Sequence, residues 1–169
     1  MHMKTVAVML LLLTCVSTGF AADSLRQAQN DDIREAVFRY QIDNARPSQK
    51  EKAEVYFLAV AGTENDDPPT FLPLPLGDER HDPSDELMHR LNPNKPPLLR
   101  NSALRTRDNN PKRGLRFRVT TIKWISAEEV EVKGGHDDYW STEWKTFTVR
   151  KENGKWKVTK AELKRAVVA

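Results

Sequence analysis

The stretch Gly134–Trp140, "GGHDDYW", sets one imidazole, His136, directly before two carboxylates, Asp137 and Asp138. Histidine and aspartate are side chains that move protons or hold divalent cations. In an extended chain, successive residues point to opposite faces, so only His136 and Asp138 converge there. Two ligands without a third do not make a metal site. His136 and Asp138 are therefore the candidates for acid/base chemistry. The competing reading is structural: paired glycines mark a bulge or a close backbone approach, and polar residues crowd the end of a hairpin.

A second cluster lies in "HDPSDELMHR", where His81, Asp85 and His89 recur every four residues. Helical spacing would align them for a cation. However, His81 precedes the helix cap expected at Asp82, and Asp85 has a simpler use at the positive end of the helix. No metal site is assigned. Nucleophilic catalysis lacks its parts, with no GxSxG elbow and with Ser84, Ser102 and Ser126 at turns or caps. No glycine-rich phosphate loop occurs, and no cofactor is expected.

Binding has more support in the sequence. Between Gly62 and Glu86 there are eight acids and one arginine, whereas between Pro93 and Arg118 there are eight basic residues and one acid, Asp108. Arg100, Arg105, Arg107, Lys112 and Arg113 are thus candidates for an acidic partner, against the reading in which the two segments neutralise one another over the surface. Tyr139, Trp140 and Trp144 offer a stacking platform, or else pack across a strand pair. A formal net charge of +3 is too small to imply a nucleic-acid partner.

These residues are carried by an α+β chain. Residues 24–45 read as a helix, with Ile33, Val37 and Tyr40 on one stripe and Phe38, Ile42 and Ala45 on another, so that both faces should be covered. Pro47 should end it. "KAEVYFLAVAG", residues 52–62, reads as a buried strand. Long loops follow at 62–82 and 92–114, the first full of prolines, separated by a short helix with Asp82 as N-cap and Pro83 in its first turn.

From Leu115 onward four strand-like segments follow in an antiparallel meander, with a tight link near Ser141 and a turn at "ENGK". Leu115, Phe117, Val119, Val130, Val132, Phe147, Val149, Trp156 and Val158 alternate on the core side. Ile122 and Trp124 fall out of phase with Leu115–Val119, which predicts a bulge at Thr120 or Thr121 and a curved sheet around the helix.

The first residues are of another kind. Lys4, an apolar run from Val6 to Leu13 and the small, polar "TCVSTGFAAD" have the layout of a secretory signal peptide, too short to span a bilayer. Gly19 and Ala21 place the cleavage after Ala21, leaving residues 22–169 as one domain without a transmembrane segment. The chain's one cysteine, Cys15, would leave with the leader. A lipoprotein acylated at Cys15 is the lesser alternative, because Thr14 suits that position poorly.

The stretches "DDIREAVFRYQ", "VYFLAVAG", "DPSDELMHRL", "RGLRFRVTTIKWISAEEVEVKGG" and "FTVRKENGKWKV" resemble a group of small exported bacterial proteins of unknown function, over most of the mature chain. This chain departs from them after Gly134 and Gly135, where it has "HDDYWSTEW". The element order is also similar to NTF2-like and cystatin-like α+β rolls. That resemblance implies a conical pocket between helix and sheet, into which Tyr40, Tyr56, Trp124 and Trp144 would project to hold a small ligand. The expected function is a non-catalytic, exported ligand- or partner-binding domain. The alternative is an NTF2-like pocket enzyme doing proton transfer with His136 or Asp138.

Overall fold

The computed structural model describes residues 25–61, 79–91, 96–105, 114–138 and 141–168. Outside them lie residues 1–24 with Cys15, most of the two segments expected to be long loops, Arg107, Lys112, Arg113, Tyr139 and Trp140; the side chain of Arg105 is likewise not described. The chain forms two compact units, Met1–Asp31 and Asp32–Ala169. In the first, residues 25–31 are helical, and Gln27 Nε2 donates to Asp31 Oδ1 at 3.4 Å, one turn away.

The second unit holds the rest of helix α1 (residues 25–44), helix α2 (Pro47–Lys52), helix α3 (Asp85–Leu91) and six strands: β1 (Val55–Val60), β2 (Leu98–Arg100), β3 (Gly114–Trp124), β4 (Glu129–Asp137), β5 (Ser141–Glu152) and β6 (Lys155–Val168). Pro47 does interrupt the first helix. It also opens α2, because a proline in the first turn sacrifices only an N–H that has no helical partner.

The strands form one sheet in the order β2-β1-β3-β4-β5-β6. It is mixed, which corrects the antiparallel expectation: β1 runs parallel to both β2 and β3, while β3, β4, β5 and β6 pair antiparallel in turn. The long connection from β1 to β3 carries α3 and allows the chain to return to its starting end, as a parallel pair requires. Strand β2, three residues inside a segment read as loop, follows Pro96 and Pro97. Proline tolerates only an edge, and the edge is where β2 lies.

Within β3 the register shifts between Val119 and Thr121, as the out-of-phase pattern predicts, and Thr120 Oγ1 donates to the carbonyl of Lys133 at 3.2 Å. The β5–β6 turn falls at Asn153 (φ 51°) and Gly154 (φ 77°), the Asn-Gly pair that tolerates two left-handed residues.

One helix cap differs from expectation. Ser84 Oγ accepts from the N–H of Leu87 at 3.2 Å, so Ser84 caps α3. Asp82 instead accepts from the N–H of Ser102 at 2.8 Å and ties the following 3-10 turn, Asn101–Arg105, to the start of the helix.

Ile33, Val37 and Phe38 of α1 pack with Leu58, Phe117, Val130, Val132, Phe147 and Val149 of the sheet in one core, all without exposed surface. Each such side chain contributes about 1.5–3 kcal/mol by leaving water. Both stripes of α1 enter this core: Ala45 is buried, and Tyr40 and Ile42 are partly covered against it. Leu87 and Leu91 of α3 join the same cluster.

Candidate functional site

Directly paired residues of adjacent strands share a face. Three cross-strand rows therefore sort the polar residues around the glycine pair. Phe117, His136 and Glu143 form one row on the helix side; Arg118, Gly135 and Trp144 form another on the opposite side, next to Arg116, Asp137 and Thr142.

On the helix side His136 is 2% exposed, its ring 6.1 Å from that of Phe117. Its Nε2 lies 3.8 Å from Glu143 Oε2 and has no hydrogen-bond partner among the described residues. Glu143 is buried as well, ion-paired to Arg46 and, at 3.1 Å, to Lys145 Nζ. Burial pushes the His136 imidazole below its ordinary pKa, and Lys145 and Arg118 act in the same direction against the pull of Glu143 and Asp137. Burial disfavours the Glu143 carboxylate, but the hydrogen bond from Lys145, the pull of His136 when it is protonated and the charges of Lys145 and Arg46 outweigh it and hold the group below the usual range. The pair thus rests as neutral imidazole beside carboxylate.

Gly134, two residues back on the same face, is open for Gln41 of α1, whose Nε2 donates to the carbonyl of Arg118 at 3.0 Å. A Cβ on Gly134 would press on that carbonyl and on the amide. A Cβ on Gly135 would fall on the carbonyl of Glu143. Both glycines therefore mark close backbone approach.

On the opposite face the bare backbone at Gly135 lets Arg118 cross β4 and lay its guanidinium 4.0 Å above the Trp144 ring. Arg116 Nη2 and Arg118 Nε each stand 3.0 Å from the carboxylate of Asp137. Phe57, Ala59 and Ala61 of the β1 segment share this face and are buried.

His136 and Asp138 take separate partners. Asp138 closes the β4–β5 hairpin: its Oδ1 accepts from Ser141 N (2.7 Å) and Ser141 Oγ (3.1 Å), and its Oδ2 from Gln49 Nε2 (3.0 Å). The link expected near Ser141 falls between the paired residues Asp137 and Thr142, with the N–H of Asp138 donating to the carbonyl of Ser141 at 2.9 Å.

The four aromatic residues do not share one pocket. Tyr40 packs edge-on to Phe147, Tyr56 edge-on to Phe117, and Trp124 edge-on to Trp156, all on the core side. Trp144 faces the other way, which corrects its placement in the cone; its pairing with Gly135 rather than His136 decides this. Of the basic residues, Arg100 is ion-paired to Asp85. His81 contacts the Val60 carbonyl at 3.0 Å through Nδ1, and His89 is exposed. No three His, Cys, Asp or Glu side chains converge on a cation position among the described residues. Nor is any described helix long and apolar enough to cross a membrane.

A groove of about 410 Å³ opens between α1 and the β5–β6 turn, lined by Asp32, Glu35, Ala36, Arg39, Gly154, Lys155 and Trp156. Glu35 is held by Arg39 and Arg90, and Arg90 also binds Asp32 at 2.6 Å, so the acidic wall is fixed in place.

Sequence reasoning did not single out Glu143, Arg46, Lys145, Arg116 or Arg118. For Glu143 a signal exists: a hairpin turning between Asp138 and Ser141 puts position 143 opposite His136. Gln41 arrives from α1 and Arg46 from the link between α1 and α2, and neither leaves such a trace. Comparison with known proteins finds no matching family model, no matching curated protein and no matching solved structure.

Proposed function

We propose that the protein is exported after loss of residues 1–21 and acts as a non-catalytic binding domain, taking a small polar ligand in the groove beside Trp156. The observation that carries this reading is an open groove beside a fully buried aromatic core. Phe38, Phe117 and Phe147 leave no exposed surface on the core side, whereas the groove has the volume of a small-ligand site and combines fixed carboxylates, Arg39 and Lys155 with the indole edge. The fold reading behind it is an NTF2-like or cystatin-like roll whose curved sheet ends in a four-stranded meander, with the cone occupied by the chain's own side chains.

A pocket enzyme using His136 as base draws support from the neutral imidazole beside Glu143. It draws less than the binding reading does, because His136 is 2% exposed and Asp138 is committed to its hairpin.

A thermal-shift screen of small molecules and glycans on the purified protein tests the proposal. Ligands that raise the melting temperature should lose their effect in Lys155→Glu, an exposed groove residue, and keep it in His136→Gln. The reverse pattern would move the ligand to the His136 side and overturn the groove assignment.

A further inference from the structure

Strand β6 is an edge of the sheet, and among the described residues only β5 pairs with it. A long open edge presents a row of unpaired N–H and C=O groups, which is a template for another strand. β6 runs from Lys155 to Val168, and every residue from Leu163 to Val168 is exposed. Three of the five large apolar side chains exposed among the described residues stand in this stretch: Leu163 (57%), Val167 (44%) and Val168 (75%). Apolar side chains gathered on an open edge mark a contact surface.

The pairing with β5 sorts the outer residues by face. Val158 and Ala161 lie opposite Val149 and Phe147 on the core side, where Leu163, Ala166 and Val168 follow them. Lys160, Glu162 and Arg165 lie opposite Thr148, Thr146 and Trp144 on the other side, with Thr159 and Lys164 as the bulged residues. There Lys160 and Lys164 hold the two oxygens of Glu162. Two copies of β6 laid antiparallel about a two-fold axis keep each face against its like. Charge then selects the register. An axis at Lys160, Glu162 or Arg165 sets a charge against its own copy, and one at Ala161 opposes Lys157 to the partner's Arg165. An axis at Ala166 or beyond engages only the last few residues. An axis at Leu163 sets Glu162 against the partner's Lys164 and Arg165, Ala161 against the partner's Ala166 and Val158 against the partner's Val168, with no like charges opposed.

We propose that β6 is the interface of a symmetric dimer, in which a second copy of this chain pairs with it edge to edge about a two-fold axis at Leu163. The backbone ladder and the core-side row of Leu163, Ala161, Ala166, Val158 and Val168 supply the association. The exposed charges contribute little attraction and act by excluding the other registers. The arrangement closes, because a two-fold axis uses the same edge of both copies and leaves β2 as the outer strand on each side. The paired stretch stops short of Lys155 and Trp156, so the groove beside α1 stays open in the dimer.

Sedimentation velocity of the purified protein over a concentration series tests this. The native chain should show a monomer–dimer equilibrium. Leu163→Lys changes an exposed side chain, so it should fold as the native chain does and dimerise at least about tenfold more weakly. Glu162→Lys should also weaken the dimer, by setting like charges across the axis, and adding Arg165→Glu should restore it. A native chain that stays monomeric throughout overturns the proposal and leaves the edge to a strand of another protein. A dimer indifferent to both Leu163→Lys and Glu162→Lys overturns it as well, by placing the interface elsewhere. If the paired Glu162 and Arg165 changes leave the dimer as weak as Glu162→Lys alone, the axis is not at Leu163 and the proposed register fails.

Discussion

At Gly135 the absence of a side chain does two things at once: it lets the carbonyl of Glu143 come close, and it gives Arg118 a path to Trp144. Gly135→Ala should therefore cost at least about 3 kcal/mol in urea denaturation, because the added methyl meets backbone rather than a movable side chain. Gly154→Ala should cost only about 1 kcal/mol, since nothing crowds that position and the penalty is its positive φ alone. Equal losses at the two sites would refute the close-approach account. The buried imidazole gives a pH signature. Its pKa is lowered on folding, so His136 contributes stability that is fully present above the unfolded-state value of about 6.5 and is lost as pH falls below it, when the unfolded chain takes up the proton first. Glu143, also lowered, adds a loss only at more acid pH, below about 4.5. Denaturation midpoints of His136→Gln between pH 7 and 5 should be flatter than those of the native chain. An unchanged slope would mean that another group titrates there. Much of this was legible in residue types and little in residue positions: the glycine pair announced a close approach, but alternation alone could not say which side His136 takes without the location of the turn.

Elements were legible where a periodic pattern ran long enough to choose a face. The alternation from Leu115 to Val119 followed by Ile122 and Trp124 narrowed the bulge to Thr120 or Thr121, and the register shifts between Val119 and Thr121; the Asn-Gly pair located the last turn. Strand β2 was not legible, since three residues carry no period and their pairing with β1 is decided by tertiary contact. The α3 cap shows a similar limit, because Asp82 and Ser84 are both good capping residues and only the turn at Asn101–Arg105 determines which one is drawn away. Ser84→Ala should lower stability by about 1 kcal/mol through the lost acceptor for Leu87, with protection of the α3 amides from hydrogen exchange falling with it. If Asp82→Ala alone frays α3 and Ser84→Ala does not, the cap has been misassigned.

For the molecule as a whole, the question is what holds the chain together if, as proposed, it is exported and loses its one cysteine. Its single cysteine, Cys15, belongs to the segment that the proposed export removes, so a mature chain beginning at Ala22 can form no disulfide. Stability must then come from the core that Ile33, Val37 and Phe38 close against the sheet, supplemented by ion pairs such as Arg90 with Asp32 and Glu35. Loss of the leader also removes Lys4 and no acid, leaving 26 Lys and Arg against 24 Asp and Glu, so a surface of nearly balanced charge adds little self-repulsion to overcome. Two measurements on the protein recovered from its secreting cell follow. Its mass should correspond to a chain starting at Ala22 with no lipid attached, and its melting temperature should be the same with and without reductant. A chain that begins at an acylated Cys15 would replace the soluble form by the lipoprotein, and a reductant-sensitive melt would require a disulfide that only a retained Cys15, pairing between two chains, could provide.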